Sequence, residues 1–221
     1  MHEALRRSSA HVRVGDVAAP APDDPTDHHL RRVLRLRDGA AVSATDGAGR
    51  WRACRLVGGE LEPVGPVVSD PAPRWPVTIL AAAPKGERVE WLVQKCTEVG
   101  VDRIVLLTAD RSVVRWDGER AATHLARLRR IATEAAMQSR RVWLPEICGP
   151  VPTVDVLRGA TVAEPGGRRL RDSDRFVAIG PEGGWSPDEL ALAGDLVDLG
   201  PHVLRVETAA MVAASQLVSL R

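Results

Sequence analysis

Apolar and polar positions change rhythm once along the 221-residue chain. In "DHHLRRVLRL", Leu30, Val33 and Leu34 recur at helical spacing behind Asp27, a candidate N-cap. "AAVSATDGAGRWRACRLV" then alternates in strand fashion around Asp46-Gly47, a strong hairpin signal. Residues 62 to 76, "EPVGPVVSDPAPRWP", carry five prolines and read as a late strand running into a linker. The domain boundary is expected near residue 72, with a small, mostly β domain over 1–72 and a second domain over 73–221.

Beyond the linker, apolar strands alternate with amphipathic helices. "VTILAAA" reads as a buried strand, and "GERVEWLVQKCTEVG" as a helix with Val89, Leu92, Val93, Cys96 and Val99 on one face and Gly100 past its end. "DRIVLLTA" is the next strand, followed by a long helix from about Gly118 to Arg141. Further strands are expected near 161–163, 176–179 and in "LVDLG", with helices from Ser186 and over 207–220. Ser186, Pro187 and Glu189 form an N-cap, a first-turn proline and a capping-box partner. This alternation predicts an α/β fold, a largely parallel sheet covered by helices.

Charge adds a local signal only. The formal net charge is +1, yet seven arginines fall between His28 and Arg55 against Asp38 and Asp46, and six between Arg120 and Arg141 against Glu134. Lysine is confined to Lys85 and Lys95. Guanidinium suits phosphate and base edges, although a GC-rich genome produces the same bias. Three separated cysteines give neither a disulfide framework nor a zinc site, which fits a reduced cytoplasm. Neither a signal-peptide core nor a membrane-length apolar run is present, so a soluble cytoplasmic protein is expected. Adjacent His28 and His29 point about 100° apart on a helix, so no metal site is expected.

Nucleotide loops are excluded next. Gly47-Ala48-Gly49 lacks the third glycine of a dinucleotide fingerprint, since Arg52 stands there, and no P-loop pattern occurs. Two other loops carry the candidate chemistry. "AIGPEGGWSPDEL" places Gly180, Gly183 and Gly184 at the carboxyl end of a strand, where open α/β sheets hold ligands. "LGPHVLRVETA" repeats the order of strand, Gly200-Pro201, extended piece and helix start. Together they suggest a pocket lined by peptide groups; each alone is equally an ordinary structural turn.

"GPEGGWSPDEL" and "LGPHVLRVETA", with "PKGERVEWLVQKCTEVGV", "TADRSVVR" and "EAAMQSRR" in the same order, resemble the RsmE family over about residues 28–220. These are 16S ribosomal RNA uridine-N3 methyltransferases of the SPOUT superfamily. The resemblance implies a PUA-like β-barrel for RNA binding before an α/β methyltransferase domain tied in a deep trefoil knot. It also implies S-adenosylmethionine against the knot loops, at Ile179, Gly180, Pro181, Glu182, Gly183, Gly184, Leu199, Gly200, His202, Val203, Leu204, Arg205, Thr208 and Ala209. One departure stands out: Val206 replaces the family's usual threonine, removing any hydroxyl contact there.

Chemically, uracil N3 must lose its proton before it attacks a sulfonium methyl. Glu207 is the candidate base, and Arg140 and Arg205 are candidate donors to the flanking carbonyl oxygens; Glu207 equally suits the helix dipole as a first-turn acid. On the long helix Leu125, Leu128, Ala132 and Ala135 share one side, while Arg127, Arg130, Glu134, Gln138 and Arg141 share the other. That stripe is an ordinary solvated face or, with Arg31, Arg32, Arg35, Lys85 and Arg111, a grip on 16S RNA within the small subunit. A last helix apolar nearly all round asks for a second cover, which a homodimer supplies, the alternative being the first domain. Neither DNA nor a membrane is an expected partner. Rival readings are a SPOUT enzyme acting on transfer RNA or ribose oxygen, and a non-catalytic assembly factor.

Overall fold

A computed structural model describes residues 1–221 and divides them into two compact units, Met1–Pro73 with Ala136–Leu144, and Arg74–Ala135 with Pro145–Arg221. The first unit therefore differs from the expected 1–72 span by including nine residues from beyond the long helix's midpoint. Backbone pairing explains this. The Gly49 amide donates to the Val142 carbonyl and the Leu144 amide to the Gly47 carbonyl, both at 2.9 Å. The Trp143 indole donates to the Asp70 carbonyl at 3.2 Å. Only glycine fits at position 49, where φ is +93° and a Cβ would lie 2.4 Å from the Trp143 ring.

Helix α1 (Glu3–Arg7), strand β1 (Ala10–Arg13), helix α2 (Asp24–His28) with a π-helical turn (His29–Val33), and strands β2 (Ala41–Thr45), β3 (Arg50–Val57) and β4 (Glu60–Ser69) make up most of this unit. The sheet order is β1-β2-β3-β4, with β1 parallel to β2 and the rest antiparallel. Val12, Val42, Ala44, Cys54, Leu56 and Leu61 form its core with Leu30. The Asp46-Gly47 turn joins β2 to β3, and the Asp46 carboxylate accepts the amides of Ala48 and Arg50 at 2.7 and 3.2 Å. The helix cap is Asp23 rather than Asp27: its carboxylate accepts the Thr26 amide at 2.9 Å, and Pro25 occupies the first turn.

In the second unit, six strands form one parallel sheet of order β10-β8-β9-β5-β6-β7. They are β5 (Thr78–Ala82), β6 (Arg103–Thr108), β7 (Glu146–Pro152), β8 (Thr161–Arg168), β9 (Phe176–Ile179) and β10 (Asp195–Val197). Its helices are α3 (Arg88–Val99), α4 (Gly118–Gln138), α5 (Pro187–Leu192) and α6 (Val206–Ser219). Both sheet faces are covered, so the strands read as unbroken apolar runs. Ile79, Ala81, Ile104, Leu106, Val177 and Ile179 face the core shared with α3 and α6, while Leu80, Val105, Leu107 and Ala178 pack on the other side with Leu157 and Trp185.

Two boundaries differ from expectation. The long helix stops at Gln138, because Arg140 takes a left-handed φ of +57° and the Arg141 amide reaches back to the Ala136 carbonyl at 2.8 Å. Strand β7 was not expected from "EICGPVP", where Gly-Pro reads as a turn; as the edge strand it tolerates its prolines. No helix is long and apolar enough to cross a membrane.

A buried histidine gives the first unit a pH dependence. His11 lies on β1 with Nε2 3.1 Å from the Arg141 carbonyl and Nδ1 2.8 Å from the Ser43 hydroxyl. A carbonyl only accepts, so Nε2 carries the proton and Nδ1 accepts from Ser43. Burial, reinforced by the nearby Arg140 charge, lowers the imidazole pKa to about 4. The unfolded chain then binds a proton below pH 6.5 that the folded one refuses, so stability is full above pH 6.5 and falls as pH drops towards 4. Roughly 3 kcal/mol is at stake across that window. Urea unfolding followed by Trp fluorescence should show this decline in wild type and a much shallower one in His11→Gln.

Candidate functional site

Two glycine-proline loops leave the carboxyl edge of the parallel sheet, and one guanidinium ties them together. Arg88, at the start of α3, donates from Nε to the Lys85 carbonyl at 3.3 Å. Its Nη2 lies 3.2 Å from Glu182 Oε1 in the first loop, and its Nη1 lies 3.8 Å from Glu207 Oε2 in the first turn of α6. Loops following β5 and β9 and the helix that ends the second loop thus converge on one side chain. The second loop starts at β10, the sheet edge, and α6 packs on α3, β5 and β9, so the chain crosses back over the sheet between them.

Each loop is held by its ends. In the first, the Gly184 amide closes a turn on the Pro181 carbonyl at 2.8 Å, and Arg111 donates to the Gly183 carbonyl at 3.1 Å. A Cβ on Gly180 would sit 2.9 Å from the Trp185 ring, whose indole is fixed by donation to the Ala163 carbonyl at 3.1 Å. Below the loop, Glu189 is 2% exposed and completes the capping box by accepting the Ser186 amide at 2.8 Å on Oε2. Its Oε1 also accepts the Asp110 amide at 3.0 Å and the Thr153 hydroxyl at 2.8 Å. The Ser186 hydroxyl donates to the Asp110 carboxylate at 2.6 Å. One buried carboxylate therefore locks α5 to the segments following β6 and β7.

In the second loop, the Asp198 carboxylate accepts the amides of Gly200 at 2.9 Å and Gly166 at 3.3 Å, which hold its pKa below the usual aspartate value. Gln216 of α6 reaches the Leu199 carbonyl at 3.5 Å. From His202 to Leu204, by contrast, neither amide nor carbonyl has a protein partner. Val203 is 94% exposed, and Leu204 packs against the core. Glu207 is 8% exposed, and its Oε2 is buried without a hydrogen bond. Unpaired peptide groups beside a buried, unsatisfied carboxylate oxygen are an unfinished polar surface, the kind a ligand completes.

Comparison with known proteins decides the family. Residues 70–218 match the model of an RNA methyltransferase domain, and residues 23–61 that of an RNA methyltransferase PUA domain. A ribosomal RNA small subunit methyltransferase E from Mycobacterium tuberculosis is 36% identical, covering 89% of this chain and 84% of its own. The chain belongs to the ribosomal RNA small subunit methyltransferase E family. The enzyme of that name from Bacillus subtilis is 28% identical, covering 86% of both chains. Two solved structures agree in fold: the Neisseria gonorrhoeae family member bound to S-adenosyl methionine, with TM-score 0.82, 25% identity and 96% and 97% of the two chains covered; and a putative methyltransferase from Legionella pneumophila with bound SAM, with TM-score 0.79, 27% identity and 95% and 96% covered.

In a member of that family, the expected site residues divide between the units. Ile179 to Gly184, Leu199 to Arg205, Glu207, Thr208 and Ala209 lie in the second unit, on the two loops and the start of α6. Arg205 is the exposed N-cap residue of α6, with no cap bond from its side chain. Val206 is buried in the core. Arg140 belongs to the first unit, where its guanidinium donates to the Ser8 carbonyl and hydroxyl.

Among the expected RNA contacts, Arg31 pairs with Asp27 at 2.7 Å, Arg127 with Glu90 at 2.8 Å and Arg130 with Glu134 at 3.1 Å. Such exposed pairs are worth at most about 1 kcal/mol and exchange readily for phosphate. Arg32, Arg35 and Lys85 are exposed; Gln138 and Arg141 belong to the first unit, and Arg111 holds the Gly183 carbonyl. Sequence reasoning missed Arg88, although it stands in the quoted "PKGERVEW", and it saw only the capping half of Glu189.

Replacing Glu189 by glutamine keeps its volume but sets an NH2 group against at least one of its three donors. The expected cost is about 2 kcal/mol. Urea denaturation should show that loss, and an unchanged midpoint would remove Glu189 as the lock beneath the first loop.

Proposed function

We propose that the chain is an S-adenosylmethionine-dependent methyltransferase that methylates N3 of one uridine in 16S ribosomal RNA within the small subunit. The carrying observation is the convergence on Arg88 of the first loop, through Glu182, and the first turn of α6, through the unsatisfied oxygen of Glu207, with unpaired peptide groups at 202–204 just before that helix in the chain. The residues present suit the cofactor. Peptide groups of 202–204 offer both donors and acceptors to an adenosine, and the Gly180–Gly184 loop leaves the same edge of the sheet. Family membership supplies the RNA class, and SAM bound to two structural neighbours supports the cofactor. The knot belongs to this reading as well.

Bound, the cofactor supplies an electrophilic methyl on a sulfonium, the electron pair of the broken C–S bond returning to sulfur. This chain's residues then have two tasks. Glu207 Oε2 takes the N3 proton, freeing the nitrogen pair to form the N–CH3 bond, in a setting with little water to compete. Arg205, exposed two residues before it, faces the charge that spreads onto the uracil carbonyl oxygens.

RNA is held, on this account, by Arg31, Arg32, Arg35, Lys85, Arg111, Arg127, Arg130, Gln138 and Arg141, with backbone phosphates as their targets. A homodimer covers the half-buried Met211 and Val212 of α6, and the cytoplasm is the compartment where ribosomal subunits meet the enzyme.

Two measurements test the reading. RNA from a deletion strain, analysed by mass spectrometry, should lack N3-methyluridine at one small-subunit position; loss of a ribose methyl instead would identify a different SPOUT activity. Glu207→Gln should lower kcat on small subunits by about a hundredfold while leaving cofactor affinity within severalfold. Wild-type turnover in that variant would remove Glu207 as the base.

A further inference from the structure

Arg88 has no part in the residue roles above, yet it joins the first loop to the start of α6, the helix that ends the second loop. It is one-third exposed, and it uses Nε, Nη1 and Nη2 on three different segments: the Lys85 carbonyl, Glu207 and Glu182. Only a guanidinium presents three donors in a fixed plane; a lysine ammonium reaches one of the two carboxylates at a time. The carboxylates are unequal. Glu182 is more than one-third exposed and sits in a loop otherwise fixed through its backbone, whereas Glu207 is buried with Oε2 lacking any hydrogen bond. Breaking the first contact frees a loop; breaking the second leaves a buried charge unaccompanied.

We propose that Arg88 is a positioning residue, which sets the separation of the two cofactor loops through Glu182 and aims Glu207 Oε2 at the substrate proton. It touches neither cofactor nor uracil and acts through the two carboxylates. Cofactor binding and proton removal are therefore coupled through one side chain. A loose first loop weakens S-adenosylmethionine binding, and a misaimed Glu207 lowers kcat even at saturating cofactor. This inference rests on the assignment of the two loops to S-adenosylmethionine.

The test uses the full-length protein and four variants: Arg88→Gln, Arg88→Lys, Glu182→Gln and the double variant Arg88→Gln/Glu182→Gln. Calorimetry gives the S-adenosylmethionine Kd, and methylation of small subunits at saturating cofactor gives kcat. Arg88→Gln should weaken cofactor binding by about tenfold and also lower kcat. Glu182→Gln should weaken binding with little loss of kcat. The double variant should bind no more weakly than Arg88→Gln, since the lost contact is shared, and Arg88→Lys should restore one of the two parameters but not both. Arg88→Gln with wild-type Kd and kcat, strict additivity in the double variant, or full rescue of both parameters by lysine overturns the proposal. If Arg88→Gln fails to fold, the glutamine at 182 and the lysine at 88 still carry these outcomes. Absence of cofactor binding by the wild-type protein removes the loop assignment and this inference with it; normal wild-type binding with unaffected variants removes this inference alone.

Discussion

Three segments at the carboxyl edge of the parallel sheet meet on the guanidinium of Arg88, and the site's geometry depends on that meeting. Glycine-rich loops have few side chains with which to anchor themselves. Their position has to be imposed by groups outside, and in this chain those groups are charged: Arg88 between two carboxylates, Arg111 on the Gly183 carbonyl, Asp198 on two amides. Apart from the contact to the buried Glu207 oxygen, these have solvent within reach, and none of those is strong alone. Their effect comes from convergence on loops too short to relax independently.

Beneath them lies a second, more rigid layer. Glu189 is a buried carboxylate satisfied entirely by uncharged donors, an amide from its own cap, an amide from Asp110 and the Thr153 hydroxyl. Full satisfaction makes a buried charge tolerable, and it makes the arrangement hard to deform. Glu207 is the contrasting case: nearly as buried, and left one bond short. Within the second unit, Glu207 Oε2 is the buried side-chain atom left without a hydrogen bond, while the layer built on Glu189 is complete.

Much of this was legible in the residues because local signals were strong. The Ser186-Pro187-Glu189 cap, the Asp46-Gly47 turn and the stop at Gly100 each rest on short-range chemistry that needs no knowledge of the fold. Strand β7 was not legible, since Gly149-Pro150 imitates a turn and only the edge position in the sheet excuses it. Asp27 reads as a helix cap because the apolar period begins after it, whereas the cap found, Asp23, opens a turn through Pro25 that has no apolar period at all. Residues Ala136–Leu144 joined the first unit through pairing with a turn some ninety positions earlier, a non-local contact that periodicity cannot carry. Arg88, Glu182 and Glu207 are dispersed in sequence for the same reason. The two loops were visible as motifs, and the clamp between them was not.

A single spectrum series addresses the central claim, that these loops and the start of α6 receive S-adenosylmethionine. Amide resonances of the isotopically labelled full-length protein, followed through a cofactor titration, should move first and furthest at 180–184 and 200–209, with Arg88 and its neighbours responding and the β2–β3 turn silent. Saturable shifts confined to other segments, with these two stretches unmoved, would contradict the account.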